Sequence, residues 1–281
     1  MTSKRMDIER SLSAQPMTPP IFSPRAFAAS IGERAIDLIT FAGGMTNLTI
    51  ATFRALFRHR LSVVELVHQL AFIGNRSFAI VGLTAIFTGM VFALQLAVGM
   101  GRFGLKTYIG QIVGIAILRE LGPVLTCLMI AARVGSGIAA ELGSMVVTEQ
   151  VLAIEAMGAN PMQKLVVPRL LATMIAAPIL TVMADIIGVF GGSVIAISEA
   201  GVTLPFYLDQ IQNTVIMEDF SSGVFKAICF GFFISMVSCY HGLSTVGGTE
   251  GVGRSTTRAV VHASMFIFVS DFFLTKLFIT L

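Results

Sequence analysis

The chain has 281 residues, 55% of them hydrophobic and only 12% charged, with a formal net charge of +3. Its mean hydropathy is +0.84. These values describe a polytopic membrane protein and exclude a soluble enzyme around one large core. The charge is too small and too scattered to recruit nucleic acid.

Residues 1–24 are polar and carry Pro16, Pro19, Pro20 and Pro24. Nothing there can bury a core, so a disordered tail is expected; no apolar run follows the basic residues, which argues against a signal peptide. Residues 25–76 read as a second unit. Within it Glu33, Asp37, Thr40, Gly44, Asn47, Ala51, Arg54 and Arg58 recur at spacings of three and four. They form one polar stripe on an otherwise apolar helix, the pattern of a helix lying in the membrane interface or packed on a bundle. Residues 61–76, with Glu65 and His68, continue as an amphipathic connector.

Residues 77–281 hold five predicted spans, and the expected fold is an all-α membrane protein. The first, 77–101, carries no charge and is long enough to cross. The second, 108–143, contains Arg119-Glu120 followed at once by Gly122-Pro123. A charge at bilayer depth is costly and functional by default, and a proline removes one helical hydrogen bond, so a broken helix is expected here. The third, 170–198, is interrupted by Pro178 and Asp185 and shows a small-residue stripe at Ala184, Gly188 and Gly192, suited to close helix approach. The fourth, 223–240, has Lys226 near its start; the fifth, 259–281, has Asp271 midway. Cys127, Cys229 and Cys239 all fall in apolar segments. Cys229 and Cys239 lie about 15 Å apart on one predicted helix, too far to bridge.

Lys and Arg concentrate before the first span, whereas residues 199–222 contain neither. The positive-inside rule therefore puts the N-terminus and the loops 144–169 and 241–258 in the cytoplasm and the C-terminus outside, against a minor vote from Arg102 and Lys106. Gly99-Met100-Gly101-Arg102-Phe103-Gly104 matches G-x-G-x-x-G but follows a span rather than a strand, and Leu105 separates Gly104 from Lys106-Thr107, so neither dinucleotide nor P-loop binding follows. Gly247-Gly248 and Gly251 to Gly253 read as a flexible loop. No cofactor or metal site is expected in this chain. The predicted helix 144–158 places Val147, Val151 and Ile154 on one face and Glu149, Gln150 and Glu155 elsewhere. Periodicity leaves open whether it is an ordinary loop helix or one that docks on a cytoplasmic motor.

Several stretches together resemble the MlaE permease family: Glu120-Leu121-Gly122-Pro123, Arg133-Val134-Gly135-Ser136, Ala140-Glu141-Leu142-Gly143, Thr148-Glu149-Gln150, Met157-Gly158-Ala159-Asn160-Pro161 and Val167-Pro168-Arg169. Phe87-Thr88-Gly89-Met90 with Gln95, and Arg254 to Arg258 with Asp271, add to the likeness, which spans about residues 60 to 281. The resemblance implies the inner-membrane permease of an ABC transporter that moves phospholipids between inner and outer membranes. It implies a homodimer on two cytoplasmic ABC ATPases that hold the ATP and magnesium, a periplasmic MCE-domain ring and, in many systems, a STAS-domain protein. It makes the segment around Val147, Glu149, Gln150, Val151, Ile154 and Glu155 a coupling helix.

On this reading the chain is not itself an enzyme. Arg119 and Glu120 line or gate a lipid cavity, with Lys226, Asp185 and Asp271 as further buried charges; for the two aspartates, structural pairing is the alternative. Rival functions are a permease for another hydrophobic cargo such as a sterol or aromatic solvent, an ion-coupled secondary transporter, and a scaffold for the periplasmic ring. Secondary transporters often show internal repeats, and none is visible here.

Overall fold

The computed structural model describes residues 24–58 and 63–280. The tail expected at residues 1–24 lies, but for Pro24, outside them, as do Arg60 and the start of the connector at Leu61. The described residues divide into two compact units, with the boundary between Thr46 and Asn47. Ten α-helices are described: α1 Pro24–Arg58, α2 Val63–Gly101, α3 Ile109–Ala116, α4 Gly122–Ile130, α5 Ser136–Val147, α6 Gln150–Ala156, α7 Val167–Ser198, α8 Leu204–Thr214, α9 Met217–Leu243 and α10 Gly248–Thr280. No strand occurs among the described residues.

Among the described residues, six helical stretches are long and apolar enough to cross a membrane: Ala35–Phe57, Val63–Gly101, Lys106–Val147, Met162–Ser198, Met217–Leu243 and Gly248–Thr280. The stretch beyond the expected five is Ala35–Phe57, which has the lowest hydropathy of the six, 1.2.

Several expected boundaries move. The connector over 63–76 is continuous with the first span: α2 runs 39 residues, about 58 Å at helical rise, far longer than a hydrocarbon core of about 30 Å. Pro178 and Asp185 do not interrupt the third span, since α7 passes through both. The fourth begins at Met217 and the fifth at Gly248, so the expected loop 241–258 shrinks to a short turn. Gly247 and Gly248 take positive φ there, 96° and 66°, while Gly251 and Gly253 lie inside α10. The apolar pattern underestimates α9 and α10 because their first turns are polar but still helical.

The second span is not broken at Gly122-Pro123. Helices α3, α4 and α5 follow one another through two π-helical turns, Ile117–Leu121 and Ala131–Gly135. The first π turn ends immediately before Gly122-Pro123. Widening that turn by one residue accommodates the proline without ending the helix.

Burial ranks the helices. Half of the most apolar window of the third span is buried and 56% of the fourth, against 22% in the first and 11% in the fifth. α7 and α9 therefore form the centre of the bundle. α7 packs on α2 through Gly188 of the expected stripe and through Gly191, which was not in it: a Cβ on Gly89 would overlap the carbonyl of Gly188, and one on Gly191 that of Ile86, while Gly192 of the stripe faces Tyr207 and Val113. α8 is fastened to α7 by Tyr207, which is fully buried and donates its hydroxyl to the Val189 carbonyl at 3.2 Å. Burial pushes its phenol above the ordinary range, so it stays a donor.

Candidate functional site

Glu120, Lys226 and Asp271, one charged residue from each of the second, fourth and fifth spans, meet at one place. α9 reaches it because Gly223 lies against the first π turn, where a Cβ would overlap the Leu118 carbonyl and touch Pro123. One turn further along, Lys226 points into the junction with its side chain only 2% exposed. Its ammonium donates to Glu120 Oε2 at 2.7 Å, to Thr275 Oγ1 at 2.7 Å and to the Arg119 carbonyl at 3.1 Å. Asp271 Oδ1 lies 3.0 Å from the same nitrogen as an ion pair. An ammonium has three N–H groups; they go to α10's threonine, to the glutamate and to a main-chain carbonyl.

That carbonyl is explained by the proline. In a regular helix the Arg119 C=O accepts the N–H of residue 123, and Pro123 has none. Lys226 supplies the missing donor. Pro123 thus both displaces the local helix and creates the acceptor that holds Lys226.

Arg119 and Glu120 point apart, as neighbours on a helix do. Arg119 turns to Asp219, with Nη1 3.4 Å from Oδ1. Asp219 is itself fixed by the start of α9, accepting the Ile216 N–H at 3.1 Å. Side-chain exposure is 31% for Arg119 and 38% for Glu120, against 9% for Asp219. The pair therefore presents one cationic and one anionic group to open space, each backed by a buried counter-charge. Glu120 lies twelve residues past Tyr108, roughly 18 Å along the helix, about a third of the way through the Lys106–Val147 stretch.

Asp185 is not part of this cluster. It is buried, its Oδ1 has no hydrogen-bond partner among the described residues, and it lies against Gly122, where a Cβ would overlap that oxygen. It borders an apolar cavity of about 450 Å³ between α7, α8 and the start of α9, walled by Leu118, Phe190, Leu208 and Phe220. The sequence grouped Asp185 with Lys226 and Asp271 on charge alone; the structure separates them.

The expected coupling helix over 144–158 is two pieces. α5 ends at Val147, Glu149 adopts a left-handed conformation with φ 58°, and α6 starts at Gln150. The break splits the expected apolar face: Val147 is exposed, Val151 half-buried and Ile154 buried. Ile154 anchors the segment, while Glu149, Gln150 and Glu155 stay in solvent together with two apolar side chains not foreseen there, Leu152 and Met157, 60% and 74% exposed.

Sequence reasoning also missed Thr275, the role of Asp219, and two ties at the opposite end of the bundle. Buried Arg169 binds Glu141 at 2.9 Å and the Leu165 carbonyl at 2.8 Å. His241 Nε2 and His262 Nδ1 are 2.7 Å apart and join α9 to α10. Asp219 carried a signal, an acid in the first turn of a helix, hidden because the fourth span was started six residues late.

A family model described as Permease MlaE matches residues 66–277. A probable ABC transporter permease protein of Rickettsia felis is 40% identical over 251 residues, covering 89% of this chain and 97% of its own. The intermembrane phospholipid transport system permease protein MlaE of Haemophilus influenzae is 33% identical over 252 residues, with 89% and 97% covered. The chloroplastic protein TRIGALACTOSYLDIACYLGLYCEROL 1 of Arabidopsis thaliana is 37% identical over 212 residues, 75% of this chain and 61% of its own.

Proposed function

The chain belongs to the MlaE permease family, and we propose that it is the inner-membrane subunit of an ABC transporter moving phospholipids between inner and outer membranes. The observation that carries this is the pair Arg119 and Glu120, part-exposed within the second span with Asp219 and Lys226 behind them. A charge of each sign, held ready in a membrane span, suits a head group carrying phosphate and a polar or cationic substituent. The name of the Haemophilus relative supports the same cargo. A sterol or aromatic solvent would have little use for either charge, and an ion-coupled mechanism would leave the exposed α5–α6 segment without a partner.

Five spans cross the membrane in this reading, with α1 in the cytoplasmic interface, the N-terminus and the α5–α6 segment in the cytoplasm and the C-terminus in the periplasm. Two copies pair as a homodimer. Glu149, Gln150, Leu152, Glu155 and Met157 meet a cytoplasmic ABC ATPase, which holds ATP and magnesium and performs the hydrolysis. An MCE-domain ring on the periplasmic side and a STAS-domain protein complete the assembly.

The test is mass spectrometry of lipid copurified with the complex, together with the detergent sensitivity of the outer membrane. Arg119→Ala is expected to lower bound phospholipid, and Glu120→Gln to leave the complex assembled but impair the barrier. Wild-type lipid occupancy and wild-type resistance in both variants would show that the pair is structural and the cargo path lies elsewhere.

A further inference from the structure

The buried residues of α10 are Gly251, Ala259, Ala263 and Ile267. All lie in its first two-thirds; from 268 to 280 no residue is buried within this chain. The ties of this last stretch to the bundle run along one stripe of the helix. Asp271 faces Lys226, Thr275 bonds Lys226 and Glu120, and the ring of Phe278 meets that of Phe225 edge-on at 5.8 Å.

Thr275 differs from other span threonines. Thr84, Thr173, Thr181 and Thr280 each donate their hydroxyl to the carbonyl four residues back, the usual way a threonine is satisfied inside a helix. Thr275 turns its hydroxyl outward instead. Its oxygen accepts from Lys226 at 2.7 Å and lies 3.3 Å from both oxygens of Glu120, to which its proton can be donated. Asp271 pairs with the same ammonium at 3.0 Å. Thr275 is thus the residue of α10 that bonds both Lys226 and Glu120.

We propose that Thr275 is a positioning residue that latches the outer end of α10, residues 268–280, onto Lys226 and holds the Glu120 carboxylate in place, so that releasing this hydroxyl swings α10 away from α9 and opens the charged pair to the surrounding membrane. The swing is possible because no buried apolar residue holds this end within the chain. The role of the opening in lipid entry rests on the permease function proposed above; the latch itself does not.

The experiment uses the full complex carrying Phe225→Cys and Phe278→Cys, with Cys127, Cys229 and Cys239 replaced. Intrachain cross-linking by a short bifunctional thiol reagent is followed in Thr275→Val and Thr275→Ser. The valine variant keeps the shape and loses the hydroxyl; its cross-linking rate should fall about fivefold, the ratio corresponding to one hydrogen bond of about 1 kcal/mol. Serine restores the hydroxyl and should restore the rate. Copurified lipid is measured in parallel and should change in Thr275→Val and return in Thr275→Ser. A valine variant that cross-links at the wild-type rate, or a serine variant as slow as valine, overturns the latch. If even the unsubstituted complex carries no phospholipid, the lipid-path function fails, while the cross-linking still decides the latch.

Discussion

Replacing Lys226 with methionine keeps most of the side chain's length and removes the ammonium. Four groups then lose their contact with the ammonium at once: Glu120, Thr275 and the Arg119 carbonyl their hydrogen bond, and Asp271 its ion pair. Removing one member of a buried ion pair costs about 3–5 kcal/mol, because the other charge is left uncompensated. That range applies in full only to buried partners. Glu120 is 38% exposed and Asp271 20% exposed, so water can recover part of the loss, and an exposed pair counts for no more than about 1 kcal/mol. The low end, about 3 kcal/mol, is therefore the expected destabilisation. For a chain of this size it corresponds to a fall in melting temperature of about 6–12 °C. The chain has no tryptophan, but Cys127 and Cys239 are buried, so a thiol-reactive dye reports unfolding of the detergent-solubilised protein. Adding Glu120→Gln and Asp271→Asn to Lys226→Met should recover most of the loss, since no buried charge then lacks a partner. A melting temperature within about 2 °C of wild type for Lys226→Met alone would refute the view that this lysine holds the junction together.

Three further outcomes are expected. Glu149→Lys reverses a charge on the exposed α5–α6 segment without touching the bundle; ATPase recovered with the membrane subunit should fall about tenfold, equivalent to 1.4 kcal/mol, with unchanged melting, and normal recovery would make Glu149 a plain solvent-facing residue. In a cysteine-free background, Asn213→Cys on α8 should react with an impermeant thiol reagent in intact spheroplasts, whereas Val246→Cys, at an 81% exposed turn, should not; the reverse pattern would invert the orientation. Gly89→Val places carbon against the Gly188 carbonyl and should destabilise the α2–α7 contact by about 1–3 kcal/mol, seen as a lower melting temperature; an unchanged value would mean the two helices are not packed this closely.

The parts legible in the sequence were those where a residue type is costly in its surroundings. Arg119, Glu120, Lys226 and Asp271 stood out because charges in apolar spans need partners, and three of the four do meet at one ammonium while Arg119 finds Asp219. The small residues of α7 were legible for the same reason, since only close packing explains Gly188 and Ala184 at that spacing. Asp185 is the exception: cost alone groups it with the others, but helix rotation sets it beside Gly122. Thr275 gave no signal at all, because a threonine in an apolar helix is ordinarily satisfied by its own backbone. The π turns were hidden too. A proline announces a disturbance, but whether the helix ends or widens depends on what the neighbouring helix offers the freed carbonyl.

That last dependence links the fold to its chemistry. In a membrane the Arg119 carbonyl cannot turn to water, so the proline is tolerable only if another element brings a donor. α9 brings Lys226 within 3.1 Å because Gly223 lets it approach the π turn. A lysine held there cannot remain an isolated charge, and Glu120, Asp271 and Thr275 gather around it from two other elements. Glu120 is then displayed at the edge of the cluster, with Arg119 turned the other way toward Asp219. The same logic makes the junction labile. Three N–H groups serve Lys226's hydrogen-bonded acceptors with none to spare, so any further acceptor arriving at its ammonium must compete for a bond already made. Of the present acceptors, the Thr275 hydroxyl is the only side chain without charge, and its bond is the one an incoming polar group displaces at least electrostatic cost.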